Sequence, residues 1–228
     1  MGKEDLPLSS ADFSKNLVSK LDSIAGPSEP EVYGIFEPST GRWQYIVACT
    51  VTKKALIIDP VLDKTKLGDG LGTLGADNVM AVVLQNGYLV ERIVETHIHP
   101  DQPSAAWYLR TQLRDAGQDP RISIGKSAAS IRRLMERKYI MREPGFTGAF
   151  DGEYNDGDCL WVGDLRVLCL KLPGHSVEQV RFLIGGNVFA GGAIPNIDYS
   201  GPPSARHLPS ADSAASSACR LLTMPRDY

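Results

Sequence analysis

The sequence predicts a mixed α/β fold in which β-sheets are covered by helices. In the first half, apolar segments of strand length alternate with segments of helical period, and in the second half short strands follow one another through tight turns. The size agrees: 228 residues at 43% hydrophobic and 22% charged content suit one domain with a proper core.

From Ala11 to Ala25, Phe13, Leu17, Leu21 and Ile24 fall at helical intervals, with Ser10 as a cap and Gly26-Pro27 as a stop. This spacing predicts an amphipathic helix, so residues 1–30 read as a helix and linker ahead of a single domain over 31–228. Val32 to Phe36, Trp43 to Cys49 and Ala55 to Ile58 read as strands, the last stopped by Asp59-Pro60. A Gly-rich link from Gly68 to Gly75 leads into a helix around Val79 to Leu84, closed by Gly87, and Arg92 to Thr96 is a buried strand running into His97. Ala105, Leu109 and Leu113 predict a helix over Ser104 to Ala116, ended by Gly117. Ile122 to Ile124 is a short strand, and Ala128 to Tyr139 a helix with a solvated basic face. Cys159 to Val162, Arg166 to Leu170, Val180 to Ile184 and Val188 to Ala190 are strands with turns at Gly163-Asp164 and Gly185-Gly186-Asn187. A last helix is expected near Ala211 to Leu222.

A net charge of −3 without a basic cluster argues against nucleic acid as a partner. The chain has no apolar run of bilayer length, and MGKEDLPLSS lacks the apolar middle of a signal peptide, so a cytoplasmic protein without membrane contact is expected. Leu6 occupies the place where a myristoylation pattern needs Ser or Thr. The 4 cysteines, Cys49, Cys159, Cys169 and Cys219, form no CxxC pair, which argues against disulfides and a cysteine-held zinc.

Of the 4 histidines, His97 and His99 stand together in Thr96-His97-Ile98-His99-Pro100-Asp101-Gln102. On an extended strand end, residues two apart share a side, so both imidazoles can converge on one ion and Asp101 continues the series. His175, in the turn Leu172-Pro173-Gly174-His175-Ser176, is the natural third ligand. The bland reading of a His-x-His pair is surface or core packing. His207 lies in a loop and is treated as structural.

With Ile58-Asp59-Pro60, the His-x-His segment, Leu172-Pro173-Gly174-His175 and Asn187-Val188-Phe189-Ala190-Gly191 in place, the chain resembles the metallo-β-lactamase superfamily over roughly Val32 to Tyr228. The resemblance is to the branch holding glyoxalase II and the persulfide dioxygenases. It implies an αβ/βα sandwich, two mixed sheets flanked by helices, with the metal at the sheet edges. The family motif is His-x-His-x-Asp-His, then a Pro-Gly-His turn, an aspartate after a strand ending in Gly, and a last histidine. His97, His99, Asp101 and His175 match; Gln102 replaces the closing histidine, Gly192 stands where the bridging aspartate is expected, and the chain reads as stopping before the final histidine.

The resemblance therefore implies a reduced, mononuclear site: His97, His99 and His175 on one divalent metal ion, zinc ahead of iron, with no metal as the remaining alternative. Three imidazoles around zinc leave a place for water and lower its pKa toward neutrality. Asp101 would orient that water or accept its proton, and Gln102 would hydrogen-bond. Asp59 would hold a ligand imidazole from behind, or simply end its strand in an Asp-Pro turn. Tyr199 and Arg206 fall where the family places substrate-contacting loops, Arg206 being suited to a carboxylate. The expected function is a hydrolase or lyase acting on a small ester, thioester or lactone, as in specialised metabolism. The alternatives are a metal-independent catalyst of rearrangement or cyclisation, an iron-dependent thiol or persulfide dioxygenase, and a non-catalytic relative kept for partner binding. A homodimer is left open.

Overall fold

A computed structural model describes residues 18–21, 29–64, 70–98, 103–130, 150–172 and 179–191. The first sheet is built from β1 (Val18–Leu21), β2 (Pro30–Glu37), β3 (Arg42–Cys49) and β4 (Lys54–Ile58), paired antiparallel in that order. A small hairpin, β5 (Asp63–Lys64) and β6 (Leu71–Gly72), leads into α1 (Leu74–Asn86). The sheet then continues in parallel through β7 (Leu89–Glu95), β8 (Arg121–Gly125) and β9 (Gly152–Tyr154), with α2 (Ala106–Asp115) crossing between β7 and β8. The switch from hairpins to helical crossovers is the switch from antiparallel to parallel pairing that connection length requires. The second sheet runs β10 (Cys159–Val162), β11 (Leu165–Lys171), β12 (Val180–Ile184) and β13 (Asn187–Phe189), antiparallel throughout these strands.

Each face of the first sheet carries its own core. Ile35, Ile46, Ile57 and Ile93 pack under α1 and α2 against Val79, Val83, Leu109 and Leu113. The alternate residues Val32, Val47, Leu56 and Val94 point the other way and meet Leu160, Val167, Phe182 and Ile184 of the second sheet. The period-2 alternation thus separates a helix layer from a sheet-on-sheet layer. α1 ends where the sequence says it must: Gly87 takes φ 65° and its N–H returns to Leu84 O.

One expectation is overturned. The helix read over Ala11 to Ala25 is contradicted at Val18–Leu21, which pairs antiparallel with β2, Val18 opposite Ile35 and Leu21 opposite Val32. The open edge of an eight-residue strand offers a full row of backbone donors and acceptors, and pairing them outweighs a weak helical spacing. β9 had no sequence signal either, because a three-residue segment shows no period. The helix expected over Ala128 to Tyr139 is seen only as a helical turn at 126–130; the remainder, and the helix near Ala211 to Leu222, lie outside the described residues. Among the described residues, no helix is long and apolar enough to cross a membrane.

Cys49 and Cys169 are buried and Cys159 is exposed, all three as free thiols. Burial pushes the Cys169 thiol up to about 12, with the charges of Asp158 and Asp156 adding to the rise. Only a thiolate reacts with an alkylating reagent. Iodoacetamide on the native protein should therefore label Cys159 and spare Cys169 until denaturant is added, as peptide mapping would read. Cys169 labelled as fast as Cys159 would contradict the packing of the second sheet.

Candidate metal centre

The carboxyl ends of β4 and β7 lie side by side, Ile58 opposite Val94, so the residues that follow each strand emerge together at one edge of the sheet. Asp59 follows β4 and takes φ 50°, a left-handed conformation rare outside glycine. Its N–H is bonded to Val94 O at 3.0 Å, which turns its carboxylate back across the end of β7. There Oδ1 accepts the Thr96 backbone N–H at 2.7 Å and Oδ2 accepts the Thr96 hydroxyl at 2.6 Å. The Thr96 Oγ1 is in turn 2.8 Å from His97 Nδ1.

The chemistry of this chain fixes its direction. Thr96 has one hydroxyl proton, and an ionised carboxylate can only accept, so that proton goes to Asp59. His97 Nδ1 must then carry the proton it donates to Thr96, which puts the lone pair of the neutral imidazole on Nε2. Asp59 is 3% exposed and Thr96 0%, so water competes poorly for these bonds. Burial pushes the Asp59 carboxyl above the usual carboxylate range, and the nearby His97 charge and the two bonds from Thr96 offset only part of that rise.

Beneath this pair, Glu95 is 2% exposed and bonded to the Ser104 hydroxyl. Burial first, then the negative charge of Asp59, pushes its carboxyl well above the usual range. Both buried acids are pushed up, Glu95 the further of the two, so Asp59 is the one that gives up its proton first. Ser104 also accepts the Ala106 N–H at 3.0 Å, so the same hydroxyl meets the first residue of α2.

Gly191, just past β13, closes the group. It takes φ 55°, and a Cβ built on it would lie on the Thr96 hydroxyl oxygen, 2.9 Å from His97 Nδ1 and 3.0 Å from Asp59 Oδ2. The backbone comes this close only because position 191 has no side chain.

The structure thus brings Asp59 and His97 together through Thr96. The turn at Asp59-Pro60 aims the carboxylate at Thr96, and Thr96 is what stands next to the imidazole. His99, Asp101, Gln102, His175, Gly192, Tyr199, Arg206 and His207 lie outside the described residues, and no group of three His, Cys, Asp or Glu side chains comes together within them. The described ends of two of the segments that carry these residues are anchored at the site. Leu62 N–H bonds Pro103 O at 3.1 Å and Ala105 N–H bonds Pro60 O at 2.9 Å, beside Asp59. Leu172 N–H bonds Gln179 O at 3.2 Å, and Val180 N–H bonds Thr96 O at 2.9 Å.

Sequence reasoning missed Thr96, Glu95, Ser104, Gln179 and the close approach of Gly191. A threonine directly before the first histidine, with an Asp-Pro strand end upstream, was the available signal for the first. The donor set at His97 fits a divalent ion: the neutral ring would offer it the Nε2 lone pair, and a buried carboxylate stands two hydrogen bonds behind Nδ1.

No family model matches the sequence. Among curated proteins the chain is 35% identical over 161 residues to "Beta-lactamase hydrolase-like protein" of Xylella fastidiosa, covering 70% of this chain and 36% of that protein. It is 30% identical over 171 residues to "Glyoxylase B2" of Dictyostelium discoideum, covering 74% of this chain and 56% of that protein. It is 25% identical over 189 residues to mouse "Persulfide dioxygenase ETHE1, mitochondrial", covering 73% of this chain and 68% of that protein. The chain spans about a third to a little over half of the length of the first two.

Proposed function

This chain belongs to the metallo-β-lactamase superfamily, and on that premise we propose that it is a hydrolase holding one divalent metal ion through His97, His99 and His175. The substrate class is a small ester, thioester or lactone. The observation that carries the reading is the hydrogen-bonded series from Asp59 through Thr96 to His97 Nδ1. A buried carboxylate fixing one imidazole tautomer is what a ligating histidine needs, and a histidine that merely packs has no use for it.

A bound divalent ion would polarise the scissile carbonyl and make a nucleophilic water available near neutral pH. Every other task falls to this chain's own side chains. Asp59, through Thr96, holds the His97 ring against rotation and stabilises positive charge on it. Asp101, which a single-ion site leaves without a metal to bind, accepts the proton of the attacking water, and Gln102 orients that water by hydrogen bonds. Tyr199 and Arg206 bind the substrate beyond its reacting carbonyl, Arg206 pairing with a carboxylate.

The similarity to the mouse protein named as a persulfide dioxygenase favours one second reading, an iron-dependent oxygenation of thiols or persulfides at the same site. One preparation separates them. Protein purified without chelator is assayed for zinc and iron, then offered esters, thioesters and lactones, and separately glutathione persulfide with an oxygen electrode. Bound zinc, with turnover lost in chelator and restored by zinc, is expected. Oxygen uptake with iron present would move the assignment to the second reading. Full turnover in strong chelator would remove the metal altogether and leave metal-independent catalysis.

A further inference from the structure

Gln179 is 3% exposed, and the mechanism above gives it no task. Its Nε2 donates to Ala190 O at 2.8 Å in a buried bond between residues eleven apart in sequence. Its backbone O accepts the Leu172 N–H at 3.2 Å, and the N–H of the next residue, Val180, donates to Thr96 O at 2.9 Å. Two consecutive residues therefore tie together the end of β11, the start of the turn after β13 and the residue that supports His97. The side-chain bond is the only one of the three that depends on residue type. It ends on the carbonyl directly before Gly191, the position where even a single added Cβ would run into Thr96 Oγ1, His97 Nδ1 and Asp59 Oδ2.

We propose that Gln179 is a positioning residue: it holds the Ala190-Gly191 turn against Thr96 and His97 and so keeps the imidazole in the orientation and tautomer that ligation requires. The inference rests on the metal-site reading above, and its physical content is local. Interiors are close-packed, so a turn that leaves no room for one methyl group beside the ring limits the ring's rotation only while the turn itself is held. A long amide reaches across to that turn and satisfies a carbonyl that no strand pairing among the described residues reaches. An apolar residue of similar length would fill the space but leave the Ala190 carbonyl buried and unpaired, and the turn would move to find a donor.

The test uses the full chain labelled with nitrogen-15, first without metal and then with zinc alone as the probe. Long-range proton-nitrogen spectra read the His97 tautomer, assigned by comparison with His97→Gln. In the unaltered chain a single Nδ1–H form is expected. In Gln179→Met the two forms should mix, and zinc should bind roughly tenfold more weakly, the lower end of what outer-shell partners contribute. Gln179→Glu is the conditional rescue. Its carboxylate cannot donate at about pH 8, so it should resemble the methionine variant there, whereas at about pH 6 a buried, protonated carboxyl donates and should bring tautomer and zinc affinity back toward the unaltered chain at the same pH. The proposal is overturned if both variants keep a single tautomer and unaltered zinc affinity at both pH values, including the case where only the melting temperature falls. If the methionine variant does not fold, the two pH arms of the glutamate variant decide alone. An unaltered chain that binds no zinc would remove the metal reading, while the metal-free tautomers would still decide the role of Gln179.

Discussion

His97→Ala is expected to empty the metal site and lower turnover by more than about 100-fold, beyond the range that outer-shell partners produce. The graded variants behind it are more informative, because they test the series and not the ligand alone. Thr96→Val removes the hydroxyl that both accepts from Nδ1 and donates to Asp59, and should weaken zinc binding by about 10–100-fold, with Thr96→Ser restoring most of it. Asp59→Asn should do more than neutralise a charge. The Thr96 backbone N–H demands an acceptor, which keeps the new amide oxygen in the Oδ1 place and turns the NH2 toward Thr96 Oγ1. The threonine proton must then point at His97 Nδ1, which moves the ring proton to Nε2 and removes the ligating lone pair. Zinc titration and elemental analysis read both effects. An Asp59→Asn protein with unaltered zinc affinity would dismiss the tautomer argument even if His97→Ala is dead.

Gly191→Ala should destabilise the fold and damage the site together. A left-handed φ costs an alanine about 1–2 kcal/mol relative to glycine, and forcing a methyl group onto a packed neighbour adds roughly 1–3 kcal/mol. Here the neighbours are the Thr96 hydroxyl, His97 Nδ1 and Asp59 Oδ2, none of them the loose end of a flexible chain. Urea denaturation of the metal-free protein should therefore show a loss of about 3 kcal/mol, and zinc should bind more weakly to whatever remains folded. Gly186→Ala is the control: its added Cβ meets nothing within 4 Å, and its cost should stay within about 0.5 kcal/mol. Equal losses at the two positions would mean that residue 191 is an ordinary turn glycine.

Much of the fold was legible because its segments are long and regular. β2, β3, β4 and β7 read as strands from apolar runs alone, and α1 and α2 from helical spacing with Gly87 and Gly117 as stops. The failures fall where the period is ambiguous or too short. At Val18–Leu21 a helical spacing competed with an unpaired strand edge, and the edge prevailed. At Gly152–Tyr154 three residues carry no pattern at all, and only the neighbouring β8 makes them a strand. Of the site, His97 was found by its neighbour at His99 and Asp59 by its proline. Gln179 and Glu95 were not found, because a single buried polar residue in an apolar run has no signature until its partners are known.

What the sequence by itself determined is therefore the alternation of layers and the residue types available at the strand ends. Both follow from patterns confined to a few neighbouring positions, so they survive without coordinates. Only the tertiary structure decided that Asp59, Thr96, His97 and Gly191 share one cluster. The bonds from Asp59 to Thr96 join residues 37 apart and exist because β4 and β7 lie parallel, with Ile58 opposite Val94. The contact with Gly191 further requires the second sheet to close over the first. No local pattern encodes those distances, because they are set by how whole strands pair and how two sheets pack.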